Sequence, residues 1–269
     1  MTDELRFVHF TDTHVVGPGV RLREVDTCRS LERVVDAVNG LSPRPAFVIV
    51  GGDLVSPDIS SDSIEGHRDA SDADYEASYA VLRSILGPLE VPFHMLMGNH
   101  DRRDPFRRVM LSQQAADDDE RHCFVVDTGG YRVCALDSLD PGKKPGILGA
   151  SQLAWLRDRL REAAGRDVVI AVHHHAVPIG LERLDVQMLM DADALWDLIV
   201  EAGNVRGVLC GHVHLQHEEV RHGIPVVTTP STCFQSSKLF KEKQYLTGPQ
   251  AFRLVTCRAG QMTSELRQL

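Results

Sequence analysis

The sequence predicts an α/β protein, and three observations carry that reading. Short apolar runs alternate with amphipathic helical stretches through the first half, as in a parallel β/α sheet. Hairpin signals enter in the second half. At five places Asp, Asn or His follows directly on a strand-like run, and the carboxyl edge of such a sheet is where ligands bind.

The elements follow in chain order. "RFVHF" (6–10) reads as a strand. Residues 25–41 place Leu31, Val34, Val35 and Val38 at helical spacing, with Asn39-Gly40 as a stop. "AFVIV" (46–50) reads as a buried strand. Residues 74–86 read as a helix with Tyr79, Leu82 and Leu86 on one face, and "PFHMLM" (92–97) as a third strand. "CFVVD" (123–127) and "RVCALD" (132–137) are strands joined by the turn "TGGY". Residues 151–163 read as a helix with Ser151 as its N-cap, followed by the strand "DVVIAV" (167–172). A helix over 191–202, a strand over 205–210, a hairpin over 218–229 turned at His222-Gly223 and a strand over 251–257 complete the series.

The 269 residues suit one domain over 1–269. Residues 56–74, acidic and Ser-rich, read as a polar loop insertion, and a C-terminal strand segment follows about residue 245. The net charge of −9, with no basic block, argues against a nucleic-acid polymer as partner. No apolar run is long enough to span a membrane, so no membrane partner is expected. The N-terminus does not read as a signal peptide, which makes the cytoplasm the expected location. The six cysteines are scattered without a C-x-x-C pair and read as reduced packing residues. The choice between monomer and homo-oligomer is left open.

Asp12 and His14 ("FTDTH"), Asp53 ("VGGD"), Asn99 ("MGNHD"), His173 ("VHHH") and His212 and His214 ("CGHVH") form a mixed oxygen and imidazole set without thiolate. That set suits Mn²⁺, Fe²⁺/Fe³⁺ or Zn²⁺. Seven ligands exceed what one tetrahedral ion takes and match two ions about 3.5–4 Å apart sharing a carboxylate. In D-x-H and H-x-H both side chains lie on one side of an extended segment, so each pair can converge on one centre. Each motif alone has a plain structural reading as a turn, a loop or a polar strand end. The metal reading rests on all five falling at strand ends.

Together, D-x-H, G-D, G-N-H-D, a His cluster and G-H-x-H resemble the calcineurin-like metallophosphoesterase superfamily. "TDTH", "GDL", "GNHD", "LDS" (136–138), "HHH", "LCGHVH" and "TPSTCFQ" (229–235) resemble more closely the bacterial class III cyclic nucleotide phosphodiesterases. The related glycerophosphodiesterases share most of these motifs. The resemblance implies a four-layer α-β-β-α sandwich of two mixed sheets flanked by helices. It implies that Asp12, His14, Asp53 and His214 hold one ion, that Asn99, His173 and His212 hold the other, and that Asp53 bridges. It also implies His100 beside the scissile phosphate, with Asp101 orienting its ring. The chain departs from the pattern at Ala176-Val177, which precede Pro178, and in the length of 56–74.

The activity these residues imply is metal-dependent phosphodiester hydrolysis. Two cations lower the pKa of a bridging water, the hydroxide attacks phosphorus, and His100 protonates the leaving group. The expected substrate is a small molecule, a 3′,5′-cyclic nucleotide such as cAMP. A glycerophosphodiester or other small acyclic diester is the alternative, and a non-catalytic scaffold the remote one, because every ligand position is filled. Cys233 and Phe234, downstream of the metal edge, and His175 are candidate substrate contacts; Phe234 reads equally well as a core residue. Of the three histidines, the resemblance makes His173 the ligand, and the roles of His174 and His175 stay open.

Overall fold

Alternation along the first strand sets the layering: Leu5 and Phe7 point into one apolar core, Val8 and Phe10 into another. The computed structural model describes residues 4–17, 19–59, 69–112, 121–238 and 245–269. Its main elements are β1 (Glu4–Phe10), α1 (Thr27–Asn39), β2 (Val48–Val50), α2 (Asp72–Leu86), β3 (Phe93–Met95), β4 (Phe124–Thr128) and β5 (Tyr131–Leu136). There follow α3 (Gly149–Glu162), β6 (Asp167–Val172), α4 (Ala192–Ala202), β7 (Val205–Cys210), β8 (His217–Arg221), β9 (Ile224–Thr228), β10 (Ala251–Arg258) and β11 (Gln261–Gln268). Short helical turns at Arg103–Phe106 and Glu182–Asp185 lie between them.

One sheet has the order β11-β10-β1-β2-β3. Its β1, β2 and β3 run parallel, and β10 pairs antiparallel with β1. The other has the order β8-β9-β7-β6-β5-β4, with β9, β7, β6 and β5 parallel and antiparallel strands at both edges. Phe7, Ile49 and Val255 of the first sheet meet Val133, Val169 and Leu209 of the second. Outside the first sheet pack α1 and α2, and outside the second pack α3 and α4. The result is a mixed α/β fold of four layers. Leu31, Val34, Val35 and Val38 of α1 are buried on one face, each worth about 1.5–3 kcal/mol relative to exposure.

Local chemistry explains where elements differ from the sequence reading. Asp26 accepts from the Arg29 amide at 3.0 Å and caps α1, so Val25-Asp26 stays extended. Helix α2 opens at Asp72, because Ser71 and Asp74 form a reciprocal capping box. The expected 56–74 loop therefore ends in helix, and its residues 60–68 lie outside the described residues. Ser151 is not a cap but sits inside the first turn of α3. Its place is taken by Asp191, whose carboxylate accepts from the Leu148 and Gly149 amides at 3.0 and 2.8 Å. Strand β3 is shorter than 92–97. Strand β11 falls in the C-terminal strand segment expected after about residue 245, and only Met262 along it is buried. The β8–β9 hairpin does turn at His222-Gly223, both at positive φ (52° and 79°), the geometry of a type I′ turn.

All six cysteines are free, five of them buried. Among the described residues no helix is long and apolar enough to cross a membrane.

Candidate metal centre

The two sheets present their parallel strands' carboxyl ends at the same edge. From the first sheet, β1 leads into Asp12 and His14, β2 into Asp53, and β3 into Asn99 and His100. From the second, β6 leads into His173 and β7 into His212 and His214. Five of these residues stand in left-handed backbone: Asp12 (φ 54°), His14 (42°), Asp53 (49°), His212 (70°) and His214 (53°). Each such residue costs about 1–3 kcal/mol, and such strain gathers at functional sites where the surroundings impose it. Two glycines permit the crowding. A Cβ on Gly98 would collide with the Asp53 carboxylate and amide, and one on Gly52 (φ 94°) with the His173 ring.

Asp12, His14, Asp53 and His214 form one buried cluster whose donor atoms all lie within 4.8 Å of one another. His14 Nε2 and His214 Nε2 face each other at 3.0 Å, and Asp12 Oδ1 lies 3.3 Å from His214 Nε2. The other ring nitrogens are taken: His214 Nδ1 donates to the Phe234 carbonyl at 2.7 Å, and His14 Nδ1 meets Ser56 Oγ at 2.6 Å. Outer hydrogen bonds of this kind fix which nitrogen a metal receives.

His173, His174 and His212 form a second cluster within the same limit. His173 Nδ1 donates to the Gly51 carbonyl at 2.8 Å, which leaves Nε2 facing inward. His174 differs. Its Nε2 must donate to the Lys144 carbonyl at 2.9 Å, so its Nδ1 accepts from Ser138 Oγ at 2.7 Å, and no lone pair is left for an ion. Asn99 Oδ1, His173 Nε2 and both nitrogens of His212 are buried atoms without a hydrogen-bond partner. Unsatisfied buried polar atoms are costly and rare, and a cation would take Asn99 Oδ1, His173 Nε2 and one nitrogen of His212. The donor set therefore fits a metal here.

Asp53 joins the clusters. Its Oδ2 lies 3.3 Å from His173 Nε2 and 3.7 Å from His14 Nε2. Its Oδ1 accepts from the His100 amide at 2.9 Å. Burial opposes charge on Asp53, but the imidazoles of His173, His100 and His14 outweigh it and hold the carboxyl well below the usual range. Burial likewise opposes charge on His173, yet Asp53 and then Asp12 raise its pKa to about 9.

The remaining site candidates fall into different surroundings. The His100 ring lies edge-on to His14, 5.2 Å between centroids, and its Nδ1 is 3.2 Å from Asp58 Oδ2. The Asp101 carboxylate meets other groups. It accepts from the amides of Leu54 and Gly98 at 3.1 and 2.8 Å and from the Tyr79 hydroxyl at 2.9 Å. Burial, then the Asp53 charge, push the Asp101 carboxyl up to about 7. His175 is buried, its ring parallel to His212 at 5.8 Å and its Nε2 3.7 Å from Asp185. Cys233 is buried, with Sγ 3.3 Å from the Asp12 carbonyl and its thiol pushed up to about 12 by burial. Phe234 stacks on His14 and packs against His214, at 5.3 and 4.8 Å. All three side chains are buried beside the candidate ligands, Cys233 and Phe234 because the 229–235 loop pairs with the residues that follow β1. There Ser231 Oγ donates to the Asp12 carbonyl at 2.7 Å and the Thr232 amide to the Thr11 carbonyl.

Sequence reasoning missed Asp58, Ser56 and Ser231. Asp58 was visible only as a second carboxylate in the turn "GGDLVSPD".

Comparison with known proteins agrees with this geometry. The chain is 35% identical over 229 residues to the 3′,5′-cyclic adenosine monophosphate phosphodiesterase CpdA of Pseudomonas aeruginosa, covering 85% of this chain and 76% of that protein. It is 28% identical over 230 residues to a probable glycerophosphodiester phosphodiesterase GpdQ of Arcobacter nitrofigilis, covering 85% and 78%. A dimetal phosphatase from Danio rerio shares the fold, with a TM-score of 0.69 at 14% identity over 97% of this chain and 98% of that one. Residues 5–216 match the model of the calcineurin-like phosphoesterases, and on that match, which takes in every candidate ligand, the chain belongs to that family.

Proposed function

We propose that this protein hydrolyses a 3′,5′-cyclic nucleotide, cAMP first, to the nucleoside monophosphate. The observation that carries the reading is the pair of clusters joined by Asp53, with His100 beside them, in a chain similar to CpdA of P. aeruginosa. Asp12, His14, Asp53 and His214 would hold one ion and Asn99, His173 and His212 the other. Their carboxylate, carboxamide and imidazole donors suit Mn²⁺, Fe or Zn²⁺. Two such ions supply an activated water and offset phosphate charge.

The chain's own residues do the rest. His100 carries a proton beside the reacting centre and gives it to the leaving oxygen, a role typically worth 10²–10⁴-fold. Burial opposes charge on its ring, but Asp53 and Asp58 raise its pKa and so favour the protonated form that an acid needs. Asp58 holds the ring in place through Nδ1. A reducing, cytoplasmic compartment suits the six free thiols.

A second reading, hydrolysis of a glycerophosphodiester, has its own support in the similarity to GpdQ of A. nitrofigilis. The test is a substrate panel of 3′,5′-cAMP, 2′,3′-cyclic nucleotides and glycerophosphodiesters with Mn²⁺, with and without chelator. The proposal expects chelator-sensitive turnover with the highest kcat/KM on 3′,5′-cAMP. A higher value on glycerophosphodiesters puts the second reading in its place.

A further inference from the structure

Beside the metal edge lies a cavity of about 710 Å³, lined by Asp58, Tyr75, Asn99, Arg102, Leu139 and Pro141 among others. Its lining includes Asn99, a candidate ligand, and Asp58, which meets the His100 ring, so it opens next to the candidate metal centre. Three guanidiniums line this cavity, and they are not equivalent. Arg103 is spent on Asp137, at 2.7 and 2.9 Å, and on the Leu139 carbonyl. Arg107 is buried. Arg102 lies over the ring of Tyr75, its guanidinium carbon 4.4 Å from the centroid, and its side chain is 43% exposed.

Arg102 is also held still. Asp72 accepts from its Nη1 at 3.0 Å, and Asp72 is itself held by Arg108 at 3.1 Å. The Arg102 amide donates to the Tyr79 hydroxyl at 3.2 Å, and that hydroxyl donates to Asp101. The Arg102 backbone is thus tied to the turn that carries Asn99 and His100, and its guanidinium to Asp72. Guanidinium planes stack on nucleobases, whose π-faces are flat and weakly hydrated.

We infer that Arg102, whose guanidinium lies over buried Tyr75, is the surface on which the heterocyclic base of the substrate stacks while its phosphate sits at the metal edge. This rests on the cyclic-nucleotide reading above and adds the residue that recognises the nucleoside. Stacking, unlike a point charge, needs the planar group, so lysine does not replace it.

The experiment compares 3′,5′-cAMP with the base-free ribose 3′,5′-cyclic phosphate on the Mn²⁺-loaded protein, as wild type, Arg102→Ala and Arg102→Lys. Wild type is expected to favour cAMP by about tenfold in kcat/KM, the scale of one base stack. Both variants are expected to bring the two substrates to within about twofold, with bound Mn²⁺ equal to wild type as the check on folding. Preference that survives in Arg102→Ala, is restored by Arg102→Lys, or is missing in wild type overturns the inference. A wild type that turns over glycerophosphodiesters and neither cyclic compound instead overturns the cyclic-nucleotide reading, and the stacking role with it.

Discussion

Asp58 meets the His100 ring, its Oδ2 3.2 Å from Nδ1, while the Asp101 carboxylate accepts from the backbone of the neighbouring turn. The two acids follow different strands: Asp58 lies beyond β2, and Asp101 beyond β3. Asp58→Asn is expected to lower kcat on an alkyl diester about tenfold, less on a p-nitrophenyl ester whose leaving group needs no proton. Bound metal, measured by elemental analysis, stays at the wild-type level. Equal losses on both substrates would remove the positioning role.

Asp101 is expected to act through structure. Asp101→Ala leaves the Leu54 and Gly98 amides and the Tyr79 hydroxyl without their acceptor in the interior. The loss is expected to be about 2–4 kcal/mol in urea-monitored unfolding. A variant as stable as wild type would show that water takes over those donors.

The three consecutive histidines separate cleanly. His173→Ala is expected to halve bound metal. His174→Ala leaves the ligands in place but cuts the tie between Ser138 and the Lys144 carbonyl, and His175→Ala opens a space behind His212. Both are expected to keep two ions per chain in a chelator titration. Loss of one ion from His174→Ala would make that residue a ligand.

Metal affinity is expected to depend on pH with a definite sign. Without an ion, His173 is held protonated to about pH 9 by Asp53 and Asp12, against an ordinary value of 6.5. That raised pKa stabilises the metal-free fold fully below about 6.5, and the contribution is lost as pH rises through about 9. An ion must displace this proton, so affinity rises about tenfold per pH unit between 6.5 and 9 for one proton released. Competition with a chelating dye at pH 6.5, 7.5 and 8.5 reads the slope. A flat profile would mean that His173 is neutral before the ion arrives.

Much of this site was legible from pattern. Strand residues alternate and short apolar runs announce themselves, so the ends of β1, β2, β3, β6 and β7 were readable, and with them the polar residues that follow. The ligand types were legible for the same reason, since imidazole and carboxylate declare their chemistry by name. Asp58 was not, because a carboxylate in a polar, Ser-rich stretch looks like any solvated acid until β3 is known to run beside β2. Nor was the burial of Cys233 and Phe234, whose loop is drawn against the residues after β1 by the Ser231 bond to the Asp12 carbonyl.

The sequence by itself determined the α/β alternation, the positions of the seven candidate ligands and the absence of thiolate among them. Tertiary structure alone decided which sheet each candidate ligand comes from, that Asp53 stands between His14 and His173, that His174 has no lone pair to offer, and which acid meets the His100 ring. The physical reason is that hydrogen bonds are settled by approach across strands and sheets. His14 and His214 are 200 residues apart in the chain and 3.0 Å apart in space, and no local pattern records that distance.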